Sequence, residues 1–359
     1  MKKIIFTGGG TTGHVTKNTI LIEALRANHP EIGIHYLGLK KGKEAELITP
    51  DLALFHPVSS GKLRRYFSFS TIPDSFRFLW GIAQSYRLLG IIEPDLVFSS
   101  GGFVALPVAV AAWMRKIPIV THETDSYPGL ANRMIGKMAK KILLGYESAK
   151  HHFDAGKTIH TGNPVAPSLF EGSKETALKK LGFSPEKKTL LVMGGSQGAK
   201  QINELVWEIL PELVKEFQVI HLTGKSKLSD SSVGLGMTNN YRAFEYVTTD
   251  YADYLAAADL VISRSGGNSL AEIAALGKPA ILIPLPLPAA AGDHQRKNAL
   301  EMQKKNPNWV ILEGEKATAG NLLEAIRDIR IDASRTDAMN RVSTADRRIL
   351  EIVLGYVVR

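Results

Sequence analysis

The fold of this chain is decided by residues 261–277, which read VISRSGGNSLAEIAALG. The apolar beginning predicts a short strand, the paired glycines predict a tight turn, and the remainder is typical of a helix. Asn268 and Ser269 are residue types favoured at a helix N-cap, and Gly277 is a natural helix stop. Glu272 is therefore expected in the first or second turn, where the positive end of the helix macrodipole suits its charge.

A carboxylate in the position of Glu272 can accept hydrogen bonds from both hydroxyls of a ribose. The free backbone N–H groups at the start of the same helix would then face a diphosphate. A well-capped structural helix without a ligand is the alternative interpretation. The rest of the chain favours the interpretation that a nucleotide binds here, because it contains further glycine loops between a predicted strand and a predicted helix.

The bulk composition is that of an ordinary globular protein with two domains. At 359 residues the chain exceeds the size at which one core usually stops growing, and its hydrophobic and charged fractions of 44% and 22% are typical. The formal net charge of +9 indicates an anionic partner: a nucleotide, an anionic lipid surface or a nucleic acid. Because cysteine is absent, disulfides and thiolate metal sites are excluded.

Neither a signal peptide nor a membrane-spanning helix is predicted. The apolar run after Met1 is too short for a signal peptide, and the longest mostly apolar stretch, residues 103–114, is well short of a membrane span. We therefore expect the protein to stay inside the cell without crossing a bilayer.

The N-terminal residues predict a strand at 3–7, a glycine loop and a helix. Gly8, Gly10 and Gly13 have the G-x-G-x-x-G spacing that lets backbone approach a phosphate. An NAD-binding loop also needs an acid near the end of the second strand, and none occurs there before Glu44. A dinucleotide-dependent oxidoreductase is therefore disfavoured.

His14 is the candidate general base. It follows the glycine loop at the carboxyl end of the first predicted strand, which is the binding edge of an open parallel sheet. A helix N-terminus lowers the pKa of an imidazole, so a histidine in this position is suited to accept a proton.

The opening pattern of strand, glycine loop and helix returns about halfway along the chain. Residues 189–193 predict a strand, and residues 194–198 (GGSQG) predict a second glycine loop before a helix. Two such starts predict an α/β protein with two Rossmann-like domains in tandem. We place the N-terminal domain at residues 1–163 and the C-terminal domain at residues 164–337. A basic C-terminal helix at about 338–359 is expected to pack back on the N-terminal domain.

Basic and aromatic residues alternate between residues 61 and 89. An ordinary amphipathic helix packed inward explains part of this pattern. A surface that contacts a membrane needs apolar side chains for the lipid boundary and cations for the head groups, and this segment has both. The candidate membrane patch joins apolar residues on one predicted helical face to basic residues beside them: Ile72, Phe76, Leu79, Trp80, Arg64, Arg65 and Arg77.

Residues 122–125 (HETD) follow a strand predicted at 117–121. Acids and a histidine at the carboxyl end of a strand are typical of a site lining or of a metal centre. No second group of ligand residues accompanies them at a suitable spacing, so no metal site is predicted.

A series of short blocks occurs in order over nearly the whole chain. Together they are far more specific than any single loop, and through them the chain resembles the undecaprenyldiphospho-muramoylpentapeptide β-N-acetylglucosaminyltransferase (MurG) family. The blocks are residues 9–14 (GGTTGH), 62–65 (KLRR), 101–103 (GGF), 122–123 (HE), 128–130 (PGL), 162–165 (GNPV), 194–198 (GGSQG), 264–266 (RSG), Glu272, and Gln295 with Asn298.

This resemblance implies a GT-B fold, in which parallel sheets of two Rossmann-like domains face each other across a cleft. It also implies an inverting transfer of N-acetylglucosamine from UDP-N-acetylglucosamine (UDP-GlcNAc) to the 4-hydroxyl of the muramyl sugar of undecaprenyl-pyrophosphoryl-MurNAc-pentapeptide, which converts lipid I to lipid II. No metal or other cofactor is implied. The protein would be peripheral, on the cytoplasmic face of the cell membrane. Its partners would be UDP-GlcNAc, the lipid-linked acceptor and the anionic membrane surface, without nucleic acid.

The resemblance also implies roles for residues in the N-terminal domain. His14 is the family's favoured general base, and Glu123 would be its orienting partner or a rival base. The glycine loops would hold the acceptor pyrophosphate. The residues expected at this pyrophosphate are Gly10, Gly13, Gly101 and Gly102.

The donor would be held mainly by the C-terminal domain. Glu272 would take the ribose hydroxyls, Ser196 the diphosphate and Gln295 the sugar, with Val247 beside the uracil. The full set of expected donor contacts is Thr11, Thr12, Gly13, Asp125, Ser196, Val247, Gly267, Asn268, Ser269, Leu270, Ala271, Glu272 and Gln295.

Three positions depart from the pattern of the family. Thr12 stands where glycine is usual, which stiffens the first loop. Thr124-Asp125 replace Gln-Asn, and an ionised Asp125 can only accept hydrogen bonds, so a donor role for an amide is lost there. Ala166 replaces a frequent arginine and removes one possible phosphate contact.

Four other functions remain open from the sequence. A diacylglycerol glycosyltransferase would share the fold and the donor half, and a UDP-GlcNAc epimerase of the same fold would not need a basic aromatic membrane face. A dinucleotide oxidoreductase is weakened by the missing acid. A nucleic-acid-binding protein would explain the charge, yet the basic residues are spread among helices without a recognised motif.

Overall fold

The computed structural model describes residues 1–61, 71–195, 198–224, 239–286, 293–331 and 345–357. Three predicted site residues, Arg64, Arg65 and Ser196, lie outside these ranges. The chain divides into two compact units, of which the first is Met1–Pro164 with the C-terminal helix and the second begins at Val165.

The first unit contains a seven-stranded parallel sheet with helices on both faces. Its elements are β1 (Lys3–Thr7), α1 (Thr12–Asn28), β2 (Gly33–Gly38), α2 (Lys43–Leu47), β3 (Leu54–Pro57), α3 (Thr71–Ile92), β4 (Leu96–Ser99), α4 (Ala105–Met114), β5 (Ile119–Glu123), α5 (Leu130–Met138), β6 (Lys141–Leu144) and β7 (Thr158–His160). The strands lie in the order β3-β2-β1-β4-β5-β6-β7, and all neighbours are parallel.

The side chains of the inner strand β1 are buried on both faces of the sheet, because helices cover both sides. Ile4 and Phe6 belong to a core layer that includes Leu21 of α1, whereas Ile5 belongs to the opposite layer with Leu106 of α4. Because successive side chains of β1 point to opposite faces, this strand contributes to the core layers on both sides of the sheet.

The second unit contains a six-stranded parallel sheet. Its elements are α6 (Lys174–Leu181), β8 (Thr189–Met193), α7 (Lys200–Glu216), β9 (Gln218–Leu222), β10 (Tyr241–Phe244), α8 (Tyr251–Ala257), β11 (Leu260–Ser263), α9 (Gly267–Ala275), β12 (Ala280–Leu282), α10 (His294–Lys305), β13 (Val310–Ile311) and α11 (Ala319–Asp328). The strand order is β10-β9-β8-β11-β12-β13, again with parallel neighbours.

The last described helix, α12 (Ala345–Val357), belongs to the first unit. Ile349, Val353 and Val357 recur at the helical spacing of four and are fully buried in the same core layer as Ile4 and Phe6. Helix α12 and strand β1 therefore contribute to the same hydrophobic core layer.

The predicted fold class, α/β with two domains on parallel sheets, is confirmed. Two local predictions were wrong. Helix α9 has Gly266 in extended conformation as its N-cap, so Asn268 and Ser269 lie inside the first turn and do not cap it. Strand β5 continues through Glu123, because His122 and Glu123 still pair with Leu143 and Leu144 of β6.

Candidate functional site

The predicted site residues of the first unit meet at the carboxyl edge of its sheet. Strands β1, β4 and β5 are neighbours, so the loop after β1, the loop after β4 and the end of β5 lie side by side. The three segments carry Gly8–His14, Ser100–Gly102 and Glu123–Asp125 respectively. Sheet topology therefore brings together residues that are far apart in the chain.

The two glycine loops touch through backbone. Gly102 has a φ of +83°, which favours glycine, and a Cβ there would overlap the carbonyl oxygen of Gly9. The same Cβ would stand 3.1 Å from Cδ2 of His14. Gly101 is equally restricted, because its missing Cβ leaves room for the side chain of Asn132. Glycine at position 102 is therefore needed for the contact between the loops, and glycine at position 101 for the contact with α5.

The ring of His14 is oriented by the loop after β4. Nδ1 lies 2.8 Å from the carbonyl oxygen of Ser100, which can only accept a hydrogen bond, so Nδ1 carries the proton. The Ser100 hydroxyl in turn donates to the carbonyl of His14 at 2.8 Å. In the neutral ring this leaves the lone pair on Nε2, which is the form that a general base requires.

The surroundings of His14 keep it neutral. Its pKa is lowered to about 4, first by burial and then by the cation of Lys17, while Asp125 and the bond to Ser100 oppose the change. The imidazole is therefore neutral through the physiological range of pH.

Glu123 does not orient His14 directly. Its side chain is buried, one oxygen accepts from the backbone N–H of Asp125 at 2.9 Å, and the other accepts from Nδ2 of Asn132 at 2.7 Å. Burial and then the neighbouring Asp125 raise the pKa of Glu123. The group that orients His14 is the Ser100 carbonyl, whereas Glu123 shapes the turn that carries Asp125.

The remaining residues predicted in the first unit lie around this edge. Gly10 and Thr11 are exposed, Thr12 and Gly13 are partly buried at the start of α1, and Gly10 has a φ of +87°. Asp125 is partly buried and acts electrostatically on both His14 and Lys17.

In the second unit, the carboxyl group of Glu272 meets a hydroxyl that the sequence analysis missed. Tyr251 of α8 donates a hydrogen bond of 2.7 Å to Oε2 of Glu272 in the second turn of α9. Burial raises the pKa of Glu272 to about 7, and the bond from Tyr251 opposes this shift. Tyr251 precedes Glu272 by 21 residues and stands in an unremarkable helix, so no local pattern indicated it.

The turn before α9 is fixed by hydrogen bonds of Ser265 and Arg264 to neighbouring segments. Asn298 of α10 donates to the carbonyl of Ser265 at 3.2 Å, and the buried guanidinium of Arg264 donates to the carbonyls of Ile283 and Pro284 at 2.9 and 3.0 Å. The first turn of α9 contains the predicted contacts Gly267, Asn268, Ser269 and Leu270, followed by Ala271. Helix α9 begins at this turn, so its first N–H groups have no partner within the helix.

Gln295 and Val247 also belong to the second unit. Oε1 of Gln295, in the first turn of α10, accepts from the backbone N–H of Leu285 at 2.9 Å, which leaves its amide nitrogen directed elsewhere. Val247 lies in the loop after β10 and packs on the core. These contacts fix both residues near the carboxyl edge of the second sheet.

The predicted membrane patch is partly visible on α3. Phe76, Leu79 and Trp80 expose 70%, 61% and 62% of their surface, and Arg77 beside them is exposed and pairs with Asp74 at 3.4 Å. Ile72 lies in the same helix. None of the helices in the described part of the chain has the length and apolar character that a membrane crossing requires.

The described ranges contain no group of three or more His, Cys, Asp or Glu side chains placed to hold a metal ion. The His122 ring is buried and donates through Nε2 to the carbonyl of Gly162 at 3.0 Å. It therefore links β5 to the end of the unit and is a structural histidine.

Comparison with known proteins identifies the family to which this chain belongs. The N-terminal domain model of glycosyltransferase family 28 matches residues 4–144, and the C-terminal domain model of that family matches residues 189–351. Two relatives are each named UDP-N-acetylglucosamine–N-acetylmuramyl-(pentapeptide) pyrophosphoryl-undecaprenol N-acetylglucosamine transferase. The one from Legionella pneumophila (strain Paris) is 46% identical over 91% of this chain and 88% of its own length. The other, numbered 3, from Bacillus thuringiensis (strain Al Hakam), is 41% identical over 92% of both chains.

Solved structures with low identity share the fold. The crystal structure of Acinetobacter baumannii MurG has a TM-score of 0.73 at 20% identity and covers 99% of this chain and 100% of its own. A Listeria monocytogenes protein described as a UDP-N-acetylglucosamine 2-epimerase has a TM-score of 0.71 at 15% identity, covering 99% of this chain and 97% of its own. Because both transferases and epimerases adopt this fold, the fold alone does not separate the two activities.

Proposed function

The chain belongs to glycosyltransferase family 28, and we propose that it is the enzyme that adds N-acetylglucosamine to the lipid-linked muramyl-pentapeptide of peptidoglycan synthesis. The donor is UDP-GlcNAc, and the acceptor is the 4-hydroxyl of the muramyl sugar of undecaprenyl-pyrophosphoryl-MurNAc-pentapeptide. One observation carries this conclusion: relatives named for this transfer are 41% and 46% identical over about nine tenths of the chain.

The donor is held by the second unit in this proposal. The carboxyl group of Glu272 receives the ribose hydroxyls, and the backbone at the start of α9, from Gly267 to Leu270, faces the diphosphate. The amide of Gln295 contacts the sugar, Val247 lies beside the uracil, and Ser196 adds a phosphate contact. The support is the arrangement at the start of α9, where a helix N-terminus and a carboxyl group oriented by Tyr251 occur within two helical turns.

The departure of UDP sets the electrostatic requirement of the reaction. Negative charge grows on the β-phosphate as the bond to the anomeric carbon breaks. Backbone N–H groups at a helix N-terminus are already oriented toward this charge, so they stabilise the transition state more than the ground state. We expect the transfer to need no divalent ion, because the leaving-group site is already positive.

The proton is removed by the first unit. Nε2 of His14 accepts the proton of the acceptor hydroxyl as its oxygen attacks the anomeric carbon, and UDP leaves from the opposite face with inversion. The Ser100 carbonyl fixes the tautomer that this step needs. The glycine loops, with Gly10, Gly13, Gly101 and Gly102, bind the pyrophosphate of the acceptor in this proposal.

The exposed face of α3 binds the membrane in which the acceptor lies. Phe76, Leu79 and Trp80 enter the boundary between acyl chains and head groups, and Arg77 meets anionic lipid. We place the enzyme as a peripheral protein on the cytoplasmic face of the cell membrane. An acceptor with a long lipid chain makes such a location useful, because acceptor and enzyme are then confined to one surface.

The overall activity is tested by following transfer from labelled UDP-GlcNAc to three possible fates. We expect product on undecaprenyl-pyrophosphoryl-MurNAc-pentapeptide, none on diacylglycerol, and no epimerised nucleotide sugar without acceptor. Transfer to diacylglycerol, or epimerisation alone, would replace the proposed function. Because the protein is assayed with and without EDTA, the same experiment measures any requirement for a divalent ion.

The role of His14 is tested with His14→Ala. We expect kcat to fall by roughly 10²–10⁴-fold, which is the usual contribution of a general base. Since the pKa of His14 is about 4, wild-type kcat at saturating UDP-GlcNAc should decline only when the pH falls toward that value and the ring becomes protonated. His29→Ala, beyond the other end of α1, is the matched control and should retain full activity. Near-normal turnover of His14→Ala would exclude this residue as the base.

The role of Glu272 is tested with Glu272→Ala. Loss of charge-assisted bonds to the ribose should raise KM for UDP-GlcNAc by roughly 10–100-fold with a smaller change in kcat. Because the carboxylate is the better acceptor, wild-type donor binding should strengthen as the pH rises through about 7, the pKa of Glu272. Glu324→Ala, on exposed α11 surface, should change neither quantity. An unchanged KM in Glu272→Ala would refute the ribose contact.

Membrane binding is tested by sedimentation with vesicles containing anionic lipid. The double variant Phe76→Ser/Trp80→Ser should bind at least tenfold more weakly, because two large apolar side chains no longer enter the lipid boundary. Leu54→Ser, which removes a 58% exposed apolar residue of β3, is the control and should bind like the wild type. Equal binding of all three proteins would contradict the proposed surface.

A further inference from the structure

Lys17 is a buried cation close to the candidate base, His14. It lies in α1, three residues after His14, and only 2% of its surface is exposed. Burying an ammonium group without compensation is costly, so such a group is retained only where partners and nearby negative charge support it.

The partners of Lys17 belong to the same loops as the site. Its Nζ lies 3.4 Å from the carbonyl oxygen of Ser100 and donates to the hydroxyl of Thr124. That Ser100 carbonyl is also the acceptor for Nδ1 of His14, at 2.8 Å. The ammonium group and the imidazole therefore share one oxygen atom as their hydrogen-bond acceptor.

The titratable groups around the pair come from β5, from the turn after it and from α2. Burial lowers the pKa of Lys17, and this shift is opposed by Glu123, at the end of β5, and by Asp125 just after it. His122 of β5 is affected by both His14 and Lys17. Glu44 of α2 lies against Gly9 on the other side of the glycine loop. Among these groups, Lys17 is the cation that shares an acceptor with His14.

We infer that Lys17 is a positioning residue that acts through His14: its ammonium group shares the Ser100 carbonyl with Nδ1 of the ring and opposes a second positive charge there, which leaves Nε2 free to accept a proton. This inference rests on the proposed role of His14 as the base. A second positive charge on the ring would stand close to the ammonium group, so protonation of His14 is opposed as long as Lys17 is charged. Lys17 does not touch the substrate in this arrangement.

Removal of the Lys17 charge changes the pKa values of both His14 and a neighbouring carboxyl group. Removing the cation lets His14 bind a proton more readily, which raises the pKa of the imidazole. It also removes an attraction that favours the ionised form of Glu123, which raises the pKa of that carboxyl group further. The carboxyl group that acts on His14 is Asp125, so the change at Glu123 leaves the direction of the His14 shift as stated.

The test uses NMR titration of the histidine Cε1–H resonances, with His14 assigned by comparison with His14→Ala. In Lys17→Met, which keeps the volume but removes the charge, the midpoint of the His14 titration should move to higher pH by roughly one pH unit. Lys17→Gln keeps a hydrogen-bond donor without the charge, and it should show the same shift. In both variants the acidic limb of kcat, measured at saturating UDP-GlcNAc, should move with the NMR midpoint.

Lys278→Met is the matched control. Lys278 is a buried lysine of the second unit whose Nζ donates to the carbonyls of Ala256 and Ala258 at 3.0 and 2.6 Å. Its replacement removes a buried cation without approaching His14, so the His14 midpoint should stay unchanged. Circular dichroism and thermal melting identify the variants that are folded, and Lys17→Gln decides the matter if Lys17→Met is not.

Two results would overturn the inference. An unchanged His14 midpoint in a folded Lys17 variant would exclude electrostatic control by Lys17. A shift in Lys17→Met but not in Lys17→Gln would assign the effect to the hydrogen bond and not to the charge. Because the titration is read without substrate, its outcome is independent of the transfer assay, so failure of the proposed function and failure of this inference are distinguishable.

Discussion

The structure depends on one constraint: a parallel strand ends at the same edge of the sheet as its neighbours, and the chain must turn there. In the first unit this places the loops after β1 and β4 in backbone contact, which Gly102 permits because it lacks a Cβ. In the second unit it places the start of α9 directly after β11. Backbone N–H groups, oriented carbonyls and a few titratable side chains are therefore concentrated at both edges without any long-range sequence signal.

Burial favours the neutral form of a titratable group in both units, which lowers the pKa of a histidine in the first and raises the pKa of a glutamate in the second. His14 is kept neutral by burial and by a neighbouring cation, so its lone pair is available over the whole physiological range of pH. Glu272 is raised to a pKa of about 7 by burial, and a hydrogen bond from Tyr251 limits the increase. The first arrangement suits a group that must accept a proton, and the second suits a carboxyl group whose binding partners are hydroxyls.

The sequence predicted the features that local pattern controls. The strand at residues 189–193 was predicted with the bounds of β8, and the repeated strand–glycine loop–helix pattern gave the correct fold class. It missed the partners that only tertiary packing supplies. Lys17 looks like a solvent-exposed helix residue, yet Ser100 and Thr124 surround it, and Tyr251 reaches Glu272 from a separate helix. The end of β5 was also misplaced, because pairing with β6 and not local composition decides where that strand stops.

The central claim is that the N-terminal turn of α9 binds the diphosphate of the donor and that Glu272 binds its ribose. A crystal structure of the protein with UDP-GlcNAc tests this claim most directly. The account predicts the diphosphate within hydrogen-bonding distance of the backbone at the start of α9, from Gly267 to Leu270, and both ribose hydroxyls on the Glu272 carboxylate. A nucleotide bound instead at the Gly8–Gly13 loop of the first unit, with α9 unoccupied, would contradict it.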